Sequence, residues 1–364
     1  MPSRLFSLFI VFLAWIIAPF QATAKSYADE NIPWVGMMRV KALLSLDKLL
    51  ALAFDPQTRS YLLLPNQQGI DYQNPIEEYL TFSKKFGFFS IQRPLIGCVS
   101  RDQEDINFTN QVLLLINKKI SSPRERLIAT AEILTKVVAY RDLKKGQEIF
   151  IPTMNAKGEP VIVIYAVDTL FDLWHGMPAF GLVPKDNTMQ SPILLFRGTD
   201  LSLGTKRGWA SVISDLNTEG PGLATFLNAQ SVIHEWLHKV ASIGPKARVM
   251  GFSLGGVLAA YTVIFERDLI NKHPQECSFA FNPPGVAKKV LKIWEALPID
   301  KRCPFAVFVT RGDLVSKIGL LFGDVTEFSL DKFSKPITAH VTLMTAQRRY
   351  HLKKIDVVQE NQSR

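Results

Sequence analysis

Short apolar runs alternate with helical patterns along the second half of the chain. Unbroken hydrophobicity over so few residues is typical of strands that are buried on both faces. Such runs occupy residues 193–196, 249–250, 278–281 and 305–309. Segments with apolar residues at helical spacing lie between them, at residues 226–243, 255–265 and 287–297. This alternation predicts an α/β fold with a mainly parallel central sheet flanked by helices.

The first part of the chain shows a different pattern. Residues 40–54 and 74–82 are predicted as helices, and Ser122-Pro123 predicts the N-cap and first residue of a helix that continues to about Tyr140. Further strands are predicted at residues 149–152, 161–171 and 179–183, with an edge strand at 325–330. We therefore predict a largely helical N-terminal region of unknown role at residues 25–150 and an α/β domain at residues 151–364.

Residues 1–24 have the features of a secretory signal peptide. Arg4 supplies a positive start, residues 5–20 are almost continuously apolar, and Ala22-Thr23-Ala24 offers small residues for cleavage. The apolar run is short for a membrane-spanning helix. We expect cleavage after Ala24 and export to the medium, the periplasm or the envelope. An uncleaved N-terminal anchor is the alternative.

The formal net charge of +9 narrows the classes of partner. Basic residues are scattered, and no nucleic-acid-binding motif accompanies them, so we expect no nucleic-acid partner. An exported basic protein can meet an anionic membrane surface. Alternatively, the charge only keeps the protein soluble.

The three cysteines do not have the spacing of a metal site, and no metal is expected. Cys277 and Cys303 each open a predicted strand, and two neighbouring strands would bring them to the same end of the sheet. Export would permit a disulfide between them, but the sequence leaves this pairing open.

Ser253 is the candidate nucleophile. It lies in Gly251-Phe-Ser-Leu-Gly255, between a predicted strand and a predicted helix. This G-x-S-x-G pattern is typical of a tight turn that exposes a serine, and its glycines let strand and helix pack closely. The start of the following helix favours negative charge near the serine. A structural serine in a glycine-rich turn is the alternative.

A nucleophilic serine requires a histidine base and a carboxylate that orients it. His340 follows the last predicted strand and is the first candidate for the base, with His351 as the alternative. Asp313 ends the strand predicted at residues 305–309 and is the first candidate for the carboxylate, with Asp324 as the alternative. In parallel sheets, reactive groups gather at the carboxyl ends of strands. The backbone N–H of Leu254 and the Thr199 side chain are the expected oxyanion-hole donors.

Several motifs together resemble the class 3 (fungal-type) lipase family. They are Ile193-Leu-Leu-Phe-Arg-Gly-Thr199, Trp209, Asp215-Leu216, Gly251-Phe-Ser-Leu-Gly-Gly256, Phe281-x-Pro-x-Gly285 and Asp313, and the resemblance covers about residues 160–345. It implies an α/β-hydrolase fold without metal or organic cofactor. It also implies hydrolysis of acylglycerols or phospholipids through an acyl-serine, with Ser253, Asp313 and His340 as the triad and Thr199 and Leu254 at the oxyanion hole.

In that family the segment after the arginine-glycine turn often forms a mobile lid. The corresponding residues here that could face lipid are Leu201, Leu203, Trp209, Val212 and Ile213. An ordinary packed helix is the alternative. The sequence departs from the family at Phe252, where a histidine usually precedes the nucleophile.

The sequence therefore predicts an exported lipase or esterase that cleaves lipid carboxylic esters. A phospholipase using the same triad is an alternative within the class. A non-catalytic envelope binding protein on a decayed hydrolase scaffold is the alternative from another class.

Overall fold

A single mixed sheet carries the functional region of the protein. The computed structural model describes residues 109–357, except for 111, 115, 119, 121, 142, 156–157, 174–176, 187–188, 199–219, 330–338, 341–342 and 345–350. These residues all belong to one compact unit, Pro56–Arg364. The proposed signal peptide and the helices predicted at 40–54 and 74–82 lie outside the described residues.

Within these residues the sheet has nine strands, which lie side by side in their order along the chain. They are β1 (Glu148–Met154), β2 (Pro160–Leu173), β3 (Met177–Pro184), β4 (Ile193–Phe196), β5 (Arg248–Phe252), β6 (Ser278–Phe281), β7 (Phe305–Thr310), β8 (Asp324–Ser329) and β9 (His351–Lys354). Strands β1 to β4 pair antiparallel, β4 to β8 pair parallel, and β9 returns antiparallel to β8. The predicted mainly parallel core of the sheet is confirmed.

The α-helices that flank this sheet include α1 (Pro123–Lys136), α2 (Leu223–Ile243), α3 (Leu254–Phe265) and α4 (Lys288–Glu295). Helix α1 starts as the sequence predicted, because the Ser122 hydroxyl accepts a hydrogen bond from the Glu125 N–H and Pro123 takes the first position. It ends earlier than predicted, and a 3₁₀ turn at Val138–Tyr140 follows it.

Different helices pack against the two faces of the sheet. Side chains alternate between faces along each strand. Val249, Ala280 and Val307 join the large core that α2, α3 and α4 complete. The opposite face carries Phe252 and Phe281, and helix α1 packs against it. None of the helices in the described residues is long and apolar enough to cross a membrane.

One local expectation needs correction, and one open pairing is decided. Strand β8 is not an edge strand, because β9 pairs with it, and sequence alternation alone could not reveal this short partner. Cys277 and Cys303 are both free thiols. Cys303 is buried, and its Sγ donates to the Arg267 carbonyl at 3.2 Å.

Candidate active site

Ser253 occupies the turn between β5 and α3 in a strained backbone conformation. Its φ is 55° and its ψ is −128°, values that non-glycine residues rarely adopt. Its N–H donates to the Phe281 carbonyl at 3.0 Å, which ties the turn to β6. The side chain is 6% exposed. The sharp turn therefore presents the hydroxyl at the carboxyl end of the parallel strands.

The glycines around Ser253 are required by close backbone contacts. A Cβ atom on Gly251 would overlap the carbonyl oxygen of Gly255. One on Gly255 would lie 2.6 Å from the Phe196 carbonyl oxygen, and one on Gly198 would lie 2.5 Å from the Phe252 carbonyl oxygen. Real Cβ atoms do not approach this closely. The G-x-S-x-G pattern thus follows from the packing of α3 against β4 and β5.

Ser253, His340 and Asp313 form a continuous hydrogen-bonded chain. His340 Nε2 lies 2.8 Å from Ser253 Oγ, and His340 Nδ1 lies 3.0 Å from Asp313 Oδ1. Asp313 is 1% exposed and follows β7, and His340 is partly buried. A serine, an imidazole and a carboxylate in this order can transfer the serine proton to the imidazole as the hydroxyl attacks.

The carboxylate of Asp313 is held by its own turn. Oδ1 accepts the Val315 N–H at 2.9 Å, and Oδ2 accepts the Ser316 N–H at 3.3 Å and the Ser316 hydroxyl. Burial by itself raises the pKa of Asp313, but the charge of the His340 ring and these hydrogen bonds outweigh it. The pKa therefore lies below its ordinary value, and the ionised carboxylate is ready to stabilise an imidazolium.

Asn282 holds the backbone of His340 in place. This residue was not identified from the sequence. Its side-chain Nδ2 donates to the His340 carbonyl at 2.6 Å and to the Ala339 carbonyl at 3.3 Å, while its Oδ1 accepts the Thr310 N–H at 2.7 Å. It has a positive φ of 45°, which asparagine tolerates better than most residues. The signal in the sequence was an asparagine at the end of β6, three residues before Gly285.

A buried ion pair on helix α1 reaches the same histidine segment. Lys136 Nζ lies 2.8 Å from Glu132 Oε1, and the same oxygen accepts the Met344 N–H at 2.7 Å. Glu132 is 0% exposed and Lys136 4% exposed. Met344 follows His340 by four residues, so Glu132 anchors the segment that carries the histidine.

Phe252, the departure from the family pattern, lies between this ion pair and the triad. The Lys136 ammonium is 5.4 Å from the centre of the Phe252 ring, within the range of a cation–π contact. The Phe252 ring is 4.9 Å from the His340 ring. Helix α1, which falls in the region predicted at 25–150, thus contributes to the surroundings of the triad.

The other candidate residues lie elsewhere. Asp324 begins β8, at the opposite end of the parallel strands, and pairs with Lys354. His351 is exposed on β9. Leu254 begins α3, where the first N–H groups have no acceptor within the helix. Thr199 and the lid candidates lie outside the described residues, namely Leu201, Leu203, Trp209, Val212 and Ile213. In the part of the chain that is described, no three metal-ligating side chains gather as a metal site.

Comparison with known proteins finds solved structures that resemble this chain but no close relatives in sequence. No protein-family model matches the chain, and no curated protein matches it. Among solved structures, the native Rhizomucor miehei lipase propeptide complex aligns at 15% identity with a TM-score of 0.33, covering 45% of this chain and 57% of that chain. The chain thus spans a little over half of that lipase.

Two further fungal lipases align in the same way. Lipase II from Rhizopus niveus has 18% identity and a TM-score of 0.31, with coverage of 47% of this chain and 67% of that one. A triacylglycerol lipase from Penicillium expansum has 13% identity and a TM-score of 0.27, with coverage of 53% and 74%. The chain is similar to these fungal lipases over about half of its length. Its sheet and flanking helices form an α/β fold.

Proposed function

We propose that the protein is a serine hydrolase that cleaves carboxylic esters of lipids through an acyl-serine intermediate. The observation that carries this proposal is the chain of contacts from Ser253 Oγ through the His340 ring to the buried Asp313 carboxylate, at 2.8 and 3.0 Å. The strained turn at Ser253 supports it, since such strain persists only where the surroundings impose it.

The reaction follows from these positions. His340 Nε2 accepts the Ser253 proton while Oγ attacks the ester carbonyl, and Asp313 stabilises the resulting imidazolium. The oxyanion that forms accepts hydrogen bonds from the Leu254 N–H and, we propose, from Thr199. His340 then gives its proton to the departing alcohol, which leaves an acyl ester on Ser253. Water repeats the sequence in the second half and releases the acid.

The substrate class rests on the resemblance to lipases in the motifs of the sequence. A triad acts on the ester carbonyl alone, so triacylglycerols and phospholipids both fit the chemistry at Ser253. We include in the proposal an export route through residues 1–24, which N-terminal sequencing of the mature protein checks. A mature chain that begins at Met1 would contradict cleavage after Ala24 and favour the uncleaved anchor.

A fluorophosphonate probe and an ester panel test the proposal together. The probe should label the wild type once, on Ser253, and should not label Ser253→Ala. The panel compares short esters, triacylglycerols and phospholipids, and we expect the wild type to hydrolyse lipid esters. A folded wild type that neither reacts with the probe nor hydrolyses any ester would favour a binding protein on a hydrolase scaffold.

A further inference from the structure

A cavity of about 920 Å³ lies at the end of the sheet away from the triad. Its wall includes Arg248 and Asp324, the first residues of β5 and β8, and Cys277, which immediately precedes β6. It opens on the sheet face that α1 covers and includes no triad residue. Its volume falls in the range of small-molecule sites, roughly 300–1,000 Å³.

Most of the cavity wall is apolar. Leu127 and Ile128 contribute from α1, Met154 from β1, and Phe279 and Phe308 from the sheet. Phe279 and Phe308 stack on each other with ring centres 6.4 Å apart. This surface suits a hydrocarbon chain, which gains free energy when it leaves water.

Arg248 is a buried charged residue of the cavity wall. Its side chain is 2% exposed, and its Nε has no hydrogen-bond partner. Within the described ranges, no carboxylate lies at ion-pair distance from it. The adjacent Tyr165 hydroxyl donates to the Ser191 carbonyl at 2.9 Å, and burial raises the pKa of Tyr165 to about 12, so this neighbour is neutral. Tyr165 hydrogen-bonds to Arg248, but a neutral phenol does not balance the charge of the guanidinium. A buried guanidinium without a counter-charge is costly.

The nearby acids are already engaged. The Glu276 carboxylate accepts hydrogen bonds from Asn271 at 2.8 Å and from the Ser191 hydroxyl, and Asp324 pairs with Lys354. Arg124, exposed at the N-terminal turn of α1, adds a further positive charge to the wall. The cavity is lined by four arginine or lysine side chains, two acidic side chains and His273, the former six being Arg124, Arg126, Arg248, Lys354, Glu276 and Asp324. The excess charge is positive.

We propose that this cavity binds a long-chain carboxylate, with its head group on Arg248 and its chain along the apolar wall. Arg248 can pair with both oxygens of a carboxylate, which supplies the missing counter-charge. Such an acid is also what hydrolysis of a lipid ester would release. The binding itself requires no chemistry at Ser253, so it stands or falls separately from the proposed function.

Calorimetric titration of the full chain carrying Ser253→Ala with dodecanoate tests the site without turnover. We expect saturable binding, with dodecanol at least tenfold weaker because it lacks the charge. Arg248→Met should weaken dodecanoate binding tenfold or more, and Arg248→Lys should have an intermediate effect. Lys292→Met is the matched control, since Lys292 is exposed on α4 on the other face of the sheet, and it should leave binding unchanged.

Two further measurements test whether the ligand lies in this cavity. Neither requires that the Arg248 variants fold. Ala306→Phe adds bulk to the wall and should weaken binding as Arg248→Met does. Bound dodecanoate should also slow alkylation of the half-buried Cys277, followed by peptide mass spectrometry, relative to the buried Cys303. No binding, equal binding of dodecanol, or binding unaffected by both Arg248→Met and Ala306→Phe would each overturn the proposal, whatever the result at Ser253.

Discussion

The two ends of the parallel strands differ in how their buried charges are neutralised. At the carboxyl end, Asp313 accepts hydrogen bonds from His340, Val315 and Ser316, and Glu132 pairs with Lys136. At the amino end, Arg248 is also buried and hydrogen-bonds to Tyr165, but no carboxylate lies at ion-pair distance from it in the described part of the chain. Both ends belong to the same nine-stranded sheet.

The difference distinguishes a preorganised site, whose charges are balanced within the protein, from a site whose charge is left for a ligand to balance. Groups that must hold fixed positions during a reaction need their partners within the protein, because reorganisation would add to the barrier. A group that receives a ligand leaves its strongest partner to be supplied from outside. The carboxyl end therefore fits catalysis, and the amino end fits binding.

Removal of the base should have the largest effect. We expect His340→Ala to lower kcat by about 10⁴-fold or more, because the serine proton loses its acceptor. Ester hydrolysis under saturating substrate measures it. His351→Ala is the matched control and should retain the wild-type rate, since His351 is exposed on β9. The reverse pattern would remove His340 from the mechanism.

Asp313→Asn should lower kcat by about 10³- to 10⁴-fold, because the amide keeps the shape but does not stabilise the imidazolium. KM should change little. The same steady-state assay measures both constants, and Asp324→Asn serves as the control at the other end of the strands. A drop caused by Asp324→Asn but not by Asp313→Asn would exchange the two assignments.

Asn282 tests whether hydrogen bonds beneath the histidine matter. Asn282→Gly keeps the positive φ and removes the side chain, so we expect kcat to fall about tenfold, the equivalent of 1.4 kcal/mol, with KM nearly unchanged. Asn282→Ala should be less stable than Asn282→Gly because alanine disfavours the backbone conformation. If both variants lose kcat and stability to the same extent, and the two variants do not differ from each other, Asn282 has a purely structural role.

The buried pair of Glu132 and Lys136 tests whether α1 supports the triad. Glu132→Leu alone should cost about 3–5 kcal/mol of unfolding free energy because it removes the carboxylate that pairs with the buried Lys136. The double variant Glu132→Leu/Lys136→Met should recover much of that stability, as denaturant unfolding would show. We expect kcat of the double variant to remain below wild type, since the Met344 N–H has lost its acceptor. Full recovery of kcat would show that the Glu132–Lys136 pair contributes only to stability.

The smallest effect concerns the pH dependence of stability. The folded-state pKa of Asp313 lies below its ordinary value, so the ionised carboxylate stabilises the fold. This stabilisation is complete above the unfolded-chain pKa of about 3.9 and is lost as pH falls through the lower folded-state pKa. The difference in unfolding free energy between wild type and Asp313→Asn should therefore shrink on acidification. A difference that grows would show the opposite shift.

The sequence predicted the parts of this molecule that depend on local pattern. Residues 193–196 and 278–281 appear as strands with the predicted bounds, because continuous apolarity identifies a buried strand. The glycines beside Ser253 signalled the turn. Chain order and position at strand ends were enough to select Asp313 and His340, which the structure brings to Ser253.

Residues whose role depends on distant partners were not predictable. Glu132 meets Met344 across 212 positions of the chain, and no local pattern marks such a contact. Arg248 appeared in the sequence only as a charge at the start of a strand, and its burial against Tyr165 emerges from the sheet alone. The short strand β9 was hidden in a basic segment with no apolar signal.

Acyl-enzyme trapping tests the central claim most directly. The wild type is mixed briefly with an activated butyrate ester, quenched in acid and digested. Mass spectrometry then gives the mass of the peptide that contains Ser253. We expect one butyryl group on Ser253 in the wild type and none on that peptide in Ser253→Ala. Ester hydrolysis that proceeds with no acyl group on Ser253, or with the group on another residue, would contradict it.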